Sequence, residues 1–190
     1  MSYVDLSGAY DLHVHAAPEI FDRLGDELDL AAHAAGAGVA GILVKNHFES
    51  TVGRAALADK RAAGVRVFGG LVLNHGVGGL NPLAVETALK LGARQIWMPT
   101  VDAAAHARSF NGLGSYSYQK SGLRLERPAI QILDNAGALR REVTLIVDLV
   151  READAILGTG HLDREEIFAL AGFCRQVGFH KLLVTHPEFK

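Results

Sequence analysis

Short apolar runs rich in β-branched residues alternate with alanine-rich segments along most of this chain. In the first run, YDLHVH, polar and apolar positions alternate, so an extended strand would place Asp11, His13 and His15 on one face. The runs predict six strands, at Tyr10–His15, Gly41–Lys45, Val65–Leu73, Arg94–Met98, Ala155–Thr159 and Lys181–Thr185. Regular strand and helix alternation favours an α/β fold with parallel strands.

Residues that commonly cap helices precede most of the segments between these strands. The predicted starts are Asp26 or Asp29, Ser50–Thr51, Asn81–Pro82, and Asp163 with Glu166 as a capping box. A further helix is expected at Glu142–Ala153, and the glycines expected as left-handed caps are Gly36, Gly64, Gly92 and Gly178. The sequence therefore predicts where most of the helices begin and end.

One segment, residues 102–128, is too long and too rich in glycine and serine for an ordinary connection. We expect a flexible insertion there, either a lid or a disordered stretch. A small hairpin is expected after it, from Ala129–Leu133 and the turn at residues 134–137. Otherwise residues 1–190 are expected to form one domain.

Composition restricts the class of protein. With 190 residues, of which 49% are hydrophobic and 21% charged, the chain can bury a sizeable core. A net charge of -2 gives no field that would gather nucleic acid or an anionic membrane, so a small-molecule partner is expected. No targeting or membrane-spanning segment is evident, which predicts a cytoplasmic protein, and the single cysteine, Cys174, is expected to be a thiol in a helical core.

Polar residues cluster at the carboxyl ends of the predicted strands. Six of the nine histidines stand there, and the strand-end residues are His13, His15, Lys45, His47, Asn74, His75, Asp102, His161 and His186. In α/β sheets and barrels this edge is where ligands bind. The remaining histidines, His33, His106 and His180, are interpreted as ordinary helix or loop residues.

Several strand-end histidines at one edge point to a common metal or substrate site. Neutral imidazole is the usual ligand of zinc, and a catalytic zinc needs three protein ligands and one open position. Asp11 is interpreted either as a partner orienting a ligand or as a capping or solvated residue. Lys45 is expected to meet an anion, a metal-bound group or the substrate, or else to be an exposed lysine with a buried stem.

These motifs resemble the amidohydrolase superfamily of metal-dependent hydrolases. DLHVH on the first strand and the later TGH and THP carry the resemblance, and LVKNHFE, VFGGLVLN, GGLNP, WMPTVDA and VTHPEF extend it over nearly the whole chain, to an uncharacterised amidohydrolase-related branch. The resemblance implies a TIM-barrel-like fold and one or two divalent metal ions, most simply zinc, that activate water toward an amide, ester or lactone. It implies that His13, His15, His161 and His186 are metal ligands.

The sequence departs from that family in two respects. The fourth predicted strand, in RQIWMPT, has no lysine or glutamate that could bridge two metals. Either Lys45 on the second strand takes that role, as its carbamate, or the site holds one metal. The chain ends just after its sixth predicted strand, whereas a complete barrel takes about 250 residues. We therefore expect either a fragment or an open half-barrel of six strands, whose edges a partner chain covers in a homo-oligomer.

The resemblance and the strand-end positions together suggest a role for each residue. Lys45 would bridge metals or stabilise negative charge, His186 would ligate metal or orient substrate, and Asp102 is the nearest candidate for the general base; His47, Asn74 and His75 are expected to contact substrate. Two other functions stay open. One is a metal-binding or interaction module that is catalytically impaired, and the other is a phosphoesterase of the histidinol-phosphatase type.

Overall fold

The computed structural model describes residues 4–187, which contain six strands, six α-helices and one short 3-10 helix. The strands are β1 (Tyr10–His15), β2 (Gly41–Lys45), β3 (Arg66–Val72), β4 (Gln95–Trp97), β5 (Ile156–Gly158) and β6 (Leu182–Leu183). The helices are α1 (Glu27–Gly36), α2 (Val52–Asp59), α3 (Pro82–Lys90), α4 (Ala104–Phe110), α5 (Arg141–Glu152) and α6 (Arg164–Gln176), and the 3-10 helix spans His75–Val77. All six predicted strands are present, and the later ones are shorter than predicted.

The six strands form one parallel sheet in the order β1-β2-β3-β4-β5-β6. Its register aligns Gly41 with Arg66, Gly70 with Gln95, and Leu157 with Leu182. The sheet curls into a half-barrel, which is compatible with part of a TIM-like fold. The predicted α/β class and parallel order are therefore confirmed. Because every strand runs the same way, all carboxyl ends lie at one edge.

The main hydrophobic core lies between the sheet and the helices that cover its outer face. Helix α5 shows how the sequence builds it, since its fully buried residues, Val143, Ile146, Val147 and Val150, recur with helical spacing on one side. Burying one such side chain contributes about 1.5–3 kcal/mol. A second core cluster packs α1 and α2 against β2 and β3. These layers hold the carboxyl edge of the sheet in place.

The helix caps largely follow the sequence prediction. Asp26 caps α1 in a capping box with Asp29, and Asp163 caps α6 in a capping box with Glu166. The side chain of Asn81 caps α3. Thr51 precedes α2 but does not cap it, because its hydroxyl donates to the Val44 carbonyl and accepts from the amide of Gly70.

Three of the four predicted glycine caps, Gly64, Gly92 and Gly178, have positive φ. The prediction for Gly36 is wrong, because Gly36 is the last residue of α1 and Gly38, two positions later, takes the left-handed conformation.

The segment at residues 102–128 begins with a helix that the sequence pattern did not predict. Helix α4 lies in it, and the later part makes an antiparallel bridge between Ser115 and Lys120. The hairpin expected after it is reduced to one antiparallel bridge, Leu133 with Leu139, closed by the turn at Asp134. The segment therefore places side chains beside the strand ends.

Candidate functional site

A cavity of about 510 Å³ opens at the carboxyl edge of the half-barrel. It is lined by His13, His15, Arg23, His47, Tyr116, Tyr118, Gln119, His161 and His186. The structure thus brings together all four histidines that were predicted to ligate metal, along with His47. His161 is nearly buried, whereas His186 lies at the exposed rim with a positive φ of 49°.

His13 and His15, at the carboxyl end of β1, face each other in this cavity. Their Nε2 atoms are 3.3 Å apart. Two nitrogens bound to one tetrahedral zinc at about 2.0–2.1 Å lie about 3.4 Å apart, so the pair has the spacing of two ligands of one ion. Burial, with the charge of Lys45 as the next cause, lowers the pKa of His13 to about 2, and burial lowers the pKa of His15 to about 4. Both imidazoles are therefore neutral at pH 7, as a metal ligand requires.

Glu19 orients His15 from behind. The buried carboxylate of Glu19 contacts Nδ1 of His15 at 3.3 Å, pairs with Arg23, and accepts from the backbone amide of His47 at 3.1 Å. Because a carboxylate only accepts, Nδ1 of His15 carries the hydrogen and Nε2 keeps its lone pair. Burial alone would raise the pKa of Glu19, but the hydrogen bonds from His15 and Arg23 outweigh it and hold that pKa below its ordinary value.

Lys45 lies behind His15, next to the cavity but not among the residues that line it. Its side chain is only 1% exposed, which excludes the exposed-lysine interpretation. Nζ lies 3.4 Å from Nε2 of His15 and 5.9 Å from the centre of the Trp97 ring. Burial, opposed in part by the charge of Glu19, lowers the pKa of Lys45 to about 7. An appreciable fraction of this amine is therefore neutral at physiological pH.

His47 is held on both of its ring nitrogens. Nδ1 lies 2.9 Å from Oγ1 of Thr100, and Nε2 lies 3.2 Å from the hydroxyl of Tyr116. Burial and the charge of Lys45 lower the pKa of His47 well below its usual value, and burial raises that of Tyr116. His47 is thus a neutral residue at the cavity wall that joins β2 to the 102–128 segment.

One group of described residues could hold a metal ion by distance alone. Ligand atoms of His15, Glu19 and His47 all lie within 4.8 Å of one another. The neutral imidazoles and the carboxylate are a donor set that suits zinc and similar divalent ions. Together with the facing pair of His13 and His15, this group shows that the residues present fit a divalent metal.

Besides Lys45, three predicted site residues, Asn74, His75 and Asp102, are not among the residues that line the cavity. The Asn74 amide is fully buried, donates to the His47 carbonyl and the Thr100 hydroxyl, and accepts from the amides of Thr100 and Asp102. These hydrogen bonds are all made within the loops, so Asn74 is a structural bridge between strand ends, and its contact with substrate stays a prediction.

Asp102 and His75 also make their hydrogen bonds with neighbouring loops. The carboxylate of Asp102 is 2% exposed and accepts from Arg127 and from the backbone amide of His75. The Nε2 atom of His75 donates to the carbonyl of Pro128. The geometry therefore does not support Asp102 as the general base or His75 as a substrate contact. Asp11 also has a local role, since its carboxylate accepts from the amide of His13 at 3.0 Å.

Comparison with protein families adds one finding. A family model described as a family of unknown function, DUF6282, matches residues 8–190. The chain belongs to this family. No curated protein matches the chain. Membership of DUF6282 assigns no activity, so the chemistry of the cavity has to be argued from its residues.

Sequence reasoning did not select six residues of this DUF6282 member that contribute to the site: Glu19, Arg23, His106, Tyr116, Tyr118 and Gln119. Glu19 had one signal, since it lies four residues after His15 in a motif that was already of interest. His106 and Tyr116 come from the 102–128 segment, whose path over the strand ends no periodicity indicates.

Among the described residues, no helix has the length and apolar character needed to cross a membrane.

Proposed function

We propose that this chain is a metal-dependent hydrolase of the amidohydrolase type that acts on a small molecule containing an amide, ester or lactone bond. The observation that carries the proposal is the pair of neutral imidazoles, His13 and His15, with Nε2 atoms 3.3 Å apart beside His161 and His186 in one cavity. His13, His15 and His161 would hold the ion, with zinc the first choice, and His186 would be a further ligand or would orient the substrate. When bound, such an ion supplies a water of lowered pKa and polarises the scissile carbonyl.

The chain's own residues would supply positioning and proton transfer. Glu19 fixes the tautomer of His15, and Arg23 presents a positive charge at the cavity wall. Lys45, with a pKa of about 7, is suited to accept a proton at Nζ or, once protonated, to stabilise developing negative charge. Lys45 thus takes the base role expected of Asp102, and its carbamate remains the route to a site with two metals.

A second candidate function is a metal-binding module without hydrolytic activity. The residues that line the cavity, within the described part of the chain, include no aspartate or glutamate. Amidohydrolase-type chemistry normally needs a proton acceptor, so this lack favours the alternative if Lys45 does not serve. The same lack of acidic ligands argues against the phosphoesterase of the histidinol-phosphatase type.

Metal analysis of purified protein tests the proposal. The parent is compared with the double variant His13→Ala/His15→Ala and with a matched control, His33→Ala/His180→Ala, which removes two exposed histidines outside the cavity. We expect about one or two zinc-type ions per chain in the parent and control and none in the cavity variant, with the same circular dichroism for all three. A folded parent that takes up no zinc would overturn the proposal.

A substrate panel then separates the two candidate functions. Esters, amides, lactones and phosphoesters are tested on the zinc-loaded protein, with solution mass recorded to test for the expected homo-oligomer. Hydrolysis that Lys45→Met abolishes while zinc content stays unchanged would support the hydrolase. Stoichiometric zinc without turnover on any substrate would support the metal-binding module.

A further inference from the structure

His106, which the sequence pattern gave no role, lies directly behind a cavity histidine. It stands on α4 and is 1% exposed. Its Nδ1 atom lies 2.9 Å from Nδ1 of His161, and the two rings stack with an interplanar angle of 15°. Its Nε2 atom lies 2.6 Å from the carbonyl oxygen of Ser115. A peptide carbonyl, one imidazole and a second imidazole therefore form a continuous chain.

The hydrogen positions along this chain follow from the partners. A carbonyl oxygen only accepts, so Nε2 of His106 must carry a hydrogen. A neutral imidazole has a single N–H, which makes Nδ1 of His106 an acceptor. The facing Nδ1 of His161 must then donate, and the lone pair of His161 is at Nε2. His106 is 1% exposed, and such burial disfavours the charged imidazolium.

We propose that His106 is a positioning residue that holds His161 as the Nδ1–H tautomer, so that Nε2 of His161 is its ligating or proton-accepting atom. Metal-binding histidines commonly donate their other ring nitrogen to an acceptor that fixes ring and tautomer, and here that acceptor is a second imidazole. The carbonyl oxygen that accepts from His106 belongs to Ser115, which lies in the same 102–128 segment as His106. This segment therefore sets the proton position on a residue that follows β5.

The tautomer part of this inference does not depend on metal binding, whereas its consequence for affinity rests on the proposed function. Long-range proton–nitrogen NMR of the metal-free, nitrogen-15-labelled protein distinguishes the two tautomers of each histidine ring. The His161 signals are assigned by their disappearance in His161→Gln. We expect Nδ1–H for His161 and Nε2–H for His106. An Nε2–H tautomer for His161 in the parent would overturn the inference.

Two variants of His106 test the positioning role. His106→Asn retains a carbonyl oxygen close to the position of Nδ1, whereas His106→Leu removes the acceptor. Asn should preserve the His161 tautomer, and Leu should shift His161 toward Nε2–H. His33→Leu, which alters an exposed histidine on α1, is the control and should change neither signal. Leu is the more severe change for folding, and Asn keeps the test informative if the Leu variant does not fold.

Zinc affinity, measured by competition with a chelating dye, gives the functional readout. Loss of an orienting partner typically lowers metal affinity about 10–100-fold, which is the range expected for Leu, while Asn should stay within about 3-fold of the parent. Equal zinc affinity in the parent and in a folded Leu variant would overturn the positioning role. A parent that binds no zinc would count against the proposed function alone, and the tautomer measurement would still decide the inference.

Discussion

Replacing Glu19 by glutamine should destabilise the metal-free protein, because one carboxylate satisfies three donors at the back of the site. Its two oxygens accept from Arg23, His15 and the amide of His47, and its side chain is 0% exposed. Glutamine has almost the same shape but offers one acceptor and one donor group. Whichever way the amide is turned, its NH₂ group faces at least one donor.

The magnitude follows from the hydrogen bonds that are lost. A hydrogen bond to a charged group contributes about 1.5–3 kcal/mol when both partners are buried. The side chain of Arg23 is 19% exposed and regains some hydration once its partner is neutral, which reduces the cost. We therefore expect Glu19→Gln to lower the free energy of unfolding by about 2 kcal/mol at pH 7.

Urea unfolding in the presence of a chelator measures this difference. Glu49→Gln is the matched control, since Glu49 also pairs with an arginine, Arg54, but its side chain is 49% exposed. Exposed pairs contribute about 0–1 kcal/mol, so the control should change little. Equal stability of Glu19→Gln and the parent, within about 0.5 kcal/mol, would refute the assignment of Glu19 as the group that holds this wall together.

The pH dependence provides an independent check on the same variant. In the unfolded chain Glu19 titrates near 4.5, and in the folded protein its pKa is lower. A depressed folded pKa gives stability that is complete above the unfolded value and is lost as the pH falls through the folded value. The gap between parent and Glu19→Gln should therefore be the same at pH 6 and pH 7.5 and smaller at pH 3.5. A gap that widens on acidification would contradict this sign.

Two further predictions concern the backbone at the strand ends beside the site and the single thiol of the protein. Gly160→Ala should lower the free energy of unfolding by more than about 2 kcal/mol, because φ is +61° and a Cβ would overlap the carbonyl oxygens of Met98 and Pro99. Gly172→Ala, on α6 with open space around it, should instead raise the free energy of unfolding by up to about 1 kcal/mol. Urea unfolding measures both changes. Cys174 is 2% exposed and burial raises its pKa to about 11, so an aromatic disulfide reagent at pH 8 should react with it about a hundredfold more slowly in the native protein than in urea. Equal rates would place this thiol at the surface.

The gathering of the cavity histidines could be predicted from the sequence because it requires only two facts. Apolar runs located the strands, and parallel strands bring their carboxyl ends to one edge, so His13, His15, His47, His161 and His186 had to be neighbours. The same reasoning placed Asn74 and Asp102 at that edge correctly. It could not tell that both side chains turn toward neighbouring loops, because that direction depends on which backbone amides need acceptors.

The partners of the histidines could not be predicted, since they come from chain segments without periodicity. Tyr116 reaches His47 and His106 reaches His161 only because the 102–128 segment folds across the strand ends. In sequence, His106 is a histidine among alanines, with no feature that separates it from the exposed His33. Its burial and its pairing are properties of the tertiary fold.

The second nitrogen of each ring is what distinguishes these histidines from one another. His15 engages Nδ1 with Glu19 and His161 engages Nδ1 with His106, so each directs its lone pair to Nε2. His47 instead uses both nitrogens within the protein. Ligation by His47 in the group with His15 and Glu19 would require it to give up Thr100 or Tyr116, and would compete with Arg23 for Glu19. In the proposed metal site, an ion would therefore lie on the Nε2 side of His15, facing His13, and His47 would form part of the wall.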